Sequence, residues 1–112
     1  MQVPVIYHIA DQNHWEQAQS NRLYVHPSLH SDGFIHCSSE DQLEKTANLY
    51  FSSENDILIL YIDTGKLHAD VKYEEASRGG DFPHIYGPVN IECVIRTKKV
   101  KRRADGKYKV KV

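Results

Sequence analysis

Seven histidines occupy 112 residues, and four places gather imidazoles, hydroxyls or carboxylates beside strand-like segments. His8 lies in IYHIA. His36 and Ser38 lie in GFIHCS, His84 and Tyr86 in FPHIYGP, and Asn90 and Glu92 in VNIECVI. An imidazole beside a hydroxyl suits proton transfer. GFIHCS also runs straight into a helix start at Ser39, where free backbone N–H groups favour an anion or phosphate. Two observations oppose that use: Ser39 and Gln42 form a capping box that occupies the helix end, and Glu40 and Asp41 in the first turn repel anions. The functional and structural readings of His36 therefore both stay open. FPHIYGP holds two prolines and a glycine within seven residues, a rigid loop suited to a binding wall or to a tight entry into a core strand.

Other chemistries are less well supported. The histidines show neither HxH nor HExxH spacing, and His26 and His30 are separated by Pro27, so no metal site is expected. Cys37 and Cys93 have no CxxC spacing and sit in apolar runs, which reads as two reduced, buried thiols. A Cys37 nucleophile would need a histidine other than His36, because strand alternation points the two opposite ways.

The elements that must position these groups follow from periodicity. Val3 to Ile9 is rich in β-branched and aromatic residues and reads as a strand. Asp11 can cap a helix over DQNHWEQAQ, with Trp15 and Ala18 on its apolar face; Trp15 either plugs the core or stacks on a ligand. LYVHPSLHSDG reads as a loop with a short strand at its start. Leu43, Ala47 and Tyr50 recur at helical spacing, so Ser39 to about Phe51 is a helix. DILILYID is continuously apolar and should be a central strand covered on both faces. ADVKYEEA alternates as a more exposed strand, SRGGD is a candidate lid, and VNIECVI should alternate with Asn90 and Glu92 on one face. KKVKRRADGKYKVKV reads as a hairpin turning at Asp105-Gly106, its basic run Lys98 to Arg103 serving to block edge pairing or, less simply, touching phosphates. Strands outnumber helices and follow one another, which predicts an α+β domain with a compact mixed or antiparallel sheet and two main helices.

Bulk properties set the outer limits. The length suits one domain over residues 1–112. The formal net charge of -1 implies no general affinity for nucleic acid or membranes, although seven histidines make the chain more cationic in mild acid. The start MQVPVIYHI lacks a basic region typical of a signal peptide, and no apolar run approaches a membrane span, so a cytoplasmic location is the expectation.

IYHIA with the following Trp, YVHPSLHSDGFIHCS, ILILYID and FPHIYGPVNIECVI together resemble a small, mostly bacterial family known as a domain of unknown function, number nine-five-two. The resemblance covers about residues 4 to 97 and leaves the hairpin of about 98–112 outside it. No activity comes with that family. Through it the chain is similar, more remotely, to the ADP-ribosyltransferase superfamily, and the fold would be a minimal version of that one. What the resemblance implies is an enzyme using NAD or a related nucleotide, with a protein or RNA acceptor left unspecified. His8 and His36 would be catalytic with Glu92, whose carboxylate would stabilise an oxocarbenium-like ribose. His8, Ser38, His84, Tyr86 and Asn90 would bind the cofactor. A non-catalytic domain that keeps the ligand pocket, or serves protein interaction, is the alternative.

Overall fold

The structure is a computed structural model that describes residues 4–76 and 79–112. Its elements run β1 (Val5–Ile9), α1 (Gln12–Asn21), β2 (Leu23–Tyr24), α2 (Ser28–Ser31), β3 (Ile35–His36), α3 (Glu40–Tyr50), β4 (Asp56–Asp63), β5 (Asp70–Glu75), β6 (Asp81–Tyr86), β7 (Val89–Asn90) and β8 (Val94–Lys101). The architecture is α+β, and every strand pair among the described residues is antiparallel. Three sheets share the strands: β1-β4-β8, β2-β7 and β3-β6-β5.

β4 is central and buried on both faces, as its unbroken apolar run requires. Leu60 and Ile62 face Ile6, Ala18, Tyr24, Ile35 and Ile85. Ile57, Ile59 and Tyr61 face Leu43 and Ala47 of α3, together with Tyr108. β1 repeats the alternation: Ile6 packs with the first cluster, and Tyr7 and Ile9 with the second. His8, paired in register with Leu60, must therefore enter the protein on the Tyr24 side. Leu60 is fully buried, so Leu60→Ala is expected to cost about 2–5 kcal/mol, read as a lower urea midpoint.

Local signals explain the helices that flank the site. The Asp11 carboxylate accepts the His14 N–H (3.1 Å) at the start of α1, and Arg22 closes that helix in the left-handed region at φ 63°. At the start of α3 the Ser39 N–H donates to the Gln42 side chain (2.9 Å), while the Gln42 amide donates to the Asp81 carbonyl (2.8 Å) and ties α3 to β6. The two larger sheets join at one antiparallel bridge, where Tyr7 and Ser38 exchange backbone hydrogen bonds of 2.8 and 2.7 Å.

Two expectations need correction. VNIECVI is not one alternating strand: Ile91–Cys93 forms a 3-10 turn between β7 and β8. The turn breaks the strand's period-two pattern: Asn90 is buried and Glu92 is exposed, although the Asn90 amide still reaches over to donate to the Glu92 carboxylate at 3.2 Å. The tail does turn at Arg103–Lys107, but the returning segment forms no strand against β8. It packs on α3 instead, because Asn48 satisfies its backbone: Tyr108 N–H donates to the Asn48 side chain (2.7 Å), which donates back to the Tyr108 carbonyl (3.1 Å). The SRGGD segment anticipated as a lid lies partly outside the described residues, at positions 77 and 78. No helix among the described residues is long and apolar enough to cross a membrane.

Candidate functional site

The Tyr7–Ser38 bridge lays β1 beside the segment leaving β3, and this places His8 under the His36 backbone. The His36 carbonyl can only accept, so His8 Nδ1 carries a proton and donates to it at 2.6 Å. His8 Nε2 is then an acceptor and takes the Tyr24 hydroxyl proton at 2.8 Å. The same phenolic oxygen accepts the Asp11 N–H at 2.9 Å. The chain Asp11–Tyr24–His8–His36 is satisfied at every link and commits both ring nitrogens of His8. Burial lowers the His8 pKa to about 3, helped by the neighbouring His26, so the ring is neutral.

Across β3 and β6, His36 and His84 are direct register partners with ring centroids 5.5 Å apart. Each imidazole is held by a carboxylate. His36 Nε2 donates to Asp32 at 2.8 Å, and His84 Nδ1 donates to Glu74 at 2.9 Å. The Tyr86 hydroxyl donates to the same Glu74 oxygen. These two donors, Tyr86 first, hold the Glu74 carboxyl below its ordinary range, and the Asp32 carboxyl is held low chiefly by His36. Phe34 lies flat on His84, with centroids 4.0 Å apart and an interplanar angle of 16°, and meets His36 at 4.8 Å edge-on. Phe34 and His36, two residues apart, share one face of the chain entering β3.

These groups open onto one cavity of about 470 Å³. His8, His36, Ser38 and His84 line it, together with His26, Phe34 and residues of α3 and β5. Ser38 is buried and donates to the Thr46 hydroxyl at 3.2 Å, so its oxygen points across the cavity floor toward α3. Tyr86 stands behind the lining, holding Glu74 and touching Phe34. Asn90 and Glu92 are not in the lining. Asn90 clamps the turn between β4 and β5, accepting the His68 N–H and donating to the Lys66 carbonyl, each at 2.9 Å. Glu92 reaches out to Arg22 at 3.4 Å on the surface. Asn90 is kept from the cavity by its place in β7 against β2 and by its bonds to His68 and Lys66, and Glu92 lies in the 3-10 turn that follows.

Three residues that sequence reasoning passed over belong to the lining. His26 stands in the segment that reads as a loop; its signal is the alternation in LYVH, which places it on the face of buried Tyr24. His26 Nδ1 accepts the Ser28 N–H at 3.0 Å, so the neutral ring carries its proton on Nε2. Glu75, at the end of β5, is the acidic residue of the lining among the described residues. Phe34 is a cavity wall. Cys37 also reaches the lining, but burial pushes its thiol far up and its sulfur contacts the Ile35 carbonyl, which removes it as a nucleophile. Among the described residues no group of three or more potential ligands is placed to hold a metal ion.

The family model described as "Protein of unknown function (DUF952)" matches residues 9–97. The chain belongs to that family. The crystal structure of protein CC0527 from Caulobacter crescentus is similar at 29% identity and a TM-score of 0.83, covering 94% of this chain and 93% of that one. The crystal structure of a double mutant of CC0527 gives 28% identity and the same TM-score and coverage. The solution NMR structure of CC0527 gives 30% identity and a TM-score of 0.78, covering 92% and 90%. No curated protein matches the chain. This DUF952 chain and CC0527 share one fold, and the His-lined cavity falls almost wholly within the matched residues.

Proposed function

We propose that this DUF952 domain binds a nucleotide-type ligand in the cavity, with NAD as the first candidate, and uses the His36–His84 pair for proton transfer. The observation that carries the reading is the cavity itself. A volume of about 470 Å³ falls in the range of small-molecule sites, and its walls join aromatic faces to a few directed polar groups. The stacked Phe34–His84 slab offers a flat surface to a planar heterocycle. Carboxylates fix the orientation of His36 and His84, the arrangement that positions imidazoles as acid and base. No Lys or Arg among the described residues belongs to the lining, so a phosphate would be met by imidazole N–H donors, His26 Nε2–H first. In this reading the transferase carboxylate is Glu75, not Glu92.

One observation favours the alternative, a binding domain without turnover. Both His8 nitrogens are used internally, so His8 orders the site and offers no ring nitrogen to a ribose. Isothermal titration with NAD, paired with a nicotinamide-release assay, separates the readings. Wild type is expected to bind and release nicotinamide. Phe34→Ala is expected to bind about 10- to 100-fold more weakly, since a base–aromatic stack contributes about 1–3 kcal/mol. Binding without release selects the non-catalytic domain, and absence of binding removes NAD as the ligand.

A further inference from the structure

The near-zero net charge conceals a segregation. Nine of the 14 Lys and Arg residues, but only one of the 15 Asp and Glu residues, follow Ile95. The last 17 residues therefore carry a formal +8 and the rest of the chain -9. Protecting a sheet edge accounts for lysines on β8, which has β4 on one side and no strand on the other among the described residues. It does not account for Lys107, Lys109 and Lys111, because their segment is not a strand edge at all.

That segment is anchored and one-sided. Tyr108 is buried and its hydroxyl donates to the Glu54 carbonyl (2.7 Å), while Val110 and Val112 pack on the α3-facing core cluster. The alternate residues Lys107, Lys109 and Lys111 are all exposed, while Tyr108, Val110 and Val112 between them turn inward. Beside them on the same sheet face, Arg96 lies over the Tyr61 ring (5.2 Å), and the Lys98 ammonium donates to the Lys111 carbonyl. Two acids stand near this row, Glu44, which accepts the Val110 N–H (2.8 Å), and Asp105 in the turn beside Arg103; Arg96, Lys98, Lys107, Lys109 and Lys111 outnumber them.

We propose that this face binds the phosphate backbone of nucleic acid. It offers lysines on a fixed track with few apolar anchors, Ile95 being the exposed large one on β8. Lysine is depleted at protein–protein interfaces, which need aromatic and apolar anchors, whereas nucleic-acid interfaces are polar and strongly basic. A lipid surface would also attract lysines, yet the tail's apolar residues are turned inward and have nothing to insert. The inference is independent of the cavity, which is lined by other residues.

Fluorescence anisotropy with a labelled single-stranded RNA of about 20 nucleotides tests it, on wild type and on the triple variant Lys107→Gln, Lys109→Gln, Lys111→Gln. Wild type is expected to bind with affinity that falls as salt rises. The triple variant should bind more weakly, with a log–log salt slope shallower by about 2, since each lost contact to a single strand removes about 0.7. The triple Lys→Arg variant should bind as wild type does, and urea midpoints establish that all three proteins fold. Equal binding by wild type and the Gln variant overturns the proposal. So does tighter salt-sensitive association with anionic lipid vesicles or with a second copy of the chain than with RNA.

Discussion

Between pH about 7.5 and about 5 the folded state is expected to lose roughly 2 kcal/mol of stability through His8 alone. His8 has a pKa of about 3 when folded, because burial removes its hydration and His26 lies against it. Unfolded, it returns to about 6.5. A depressed histidine contributes its full stability above the unfolded pKa and loses it as pH falls toward the folded one. The loss proceeds at about 1.4 kcal/mol per pH unit between those limits. His26, also lowered by burial, adds in the same direction. The carboxyls of Asp11, Asp32 and Glu74 are held below their ordinary range, so their contributions vanish only in stronger acid and leave this window to the imidazoles. Urea unfolding of wild type and His8→Gln across the window reads the effect. The variant starts from a lower stability, having disturbed the Tyr24 and His36 bonds, but its pH slope is expected to be shallower. Tyr24→Phe provides a second reading: it strips the proton donor from the buried His8 Nε2 and leaves the half-buried Asp11 N–H without this acceptor, so it should destabilise by about 1–3 kcal/mol while keeping a steep slope. Parallel pH curves for wild type and His8→Gln would show that the ring is not held neutral.

Glu75→Gln is expected to reduce nicotinamide release by about 100- to 1000-fold with little change in NAD affinity, whereas Glu92→Gln leaves the rate near wild type. A carboxylate that stabilises charge appearing only in the transition state lowers turnover and spares ground-state binding. Glu75 is the acidic residue of the cavity lining among the described residues, and Glu92 is held outside it by Arg22 and Asn90. The comparison holds volume and polarity nearly constant at both sites, so location alone separates them. Equal losses in both variants, or a loss confined to Glu92→Gln, would defeat the Glu75 assignment.

Much of the scaffold was legible in the sequence because local physics determines it. Helix α3 follows from Leu43 and Ala47 at four-residue spacing and from Gln42 three residues after Ser39. The double-sided burial of β4 follows from its unbroken apolar run. The face shared by Phe34 and His36 follows from strand alternation. Alternation also put Asn90 and Glu92 together, and their side chains do meet at 3.2 Å, but across a 3-10 turn at Ile91 rather than along one strand. The Asp105-Gly106 pair signalled a turn correctly, but a turn does not decide what the returning chain lies against, and Asn48 captured it for α3.

The sequence by itself determined which residues could do chemistry and which way each faces within its own strand or helix, since backbone periodicity and capping act over a few residues. Only the tertiary structure decided which of them share a cavity. One bridge, Tyr7 with Ser38, sets β1 against the end of β3, and from it follow the capture of His8 by Tyr24 and the His36 carbonyl. The β3–β6 register then faces His36 with His84, and the end of β5 supplies Glu75. No local period relates those partners along the chain; strand register within the β3-β6-β5 sheet and the packing of the three sheets bring them together.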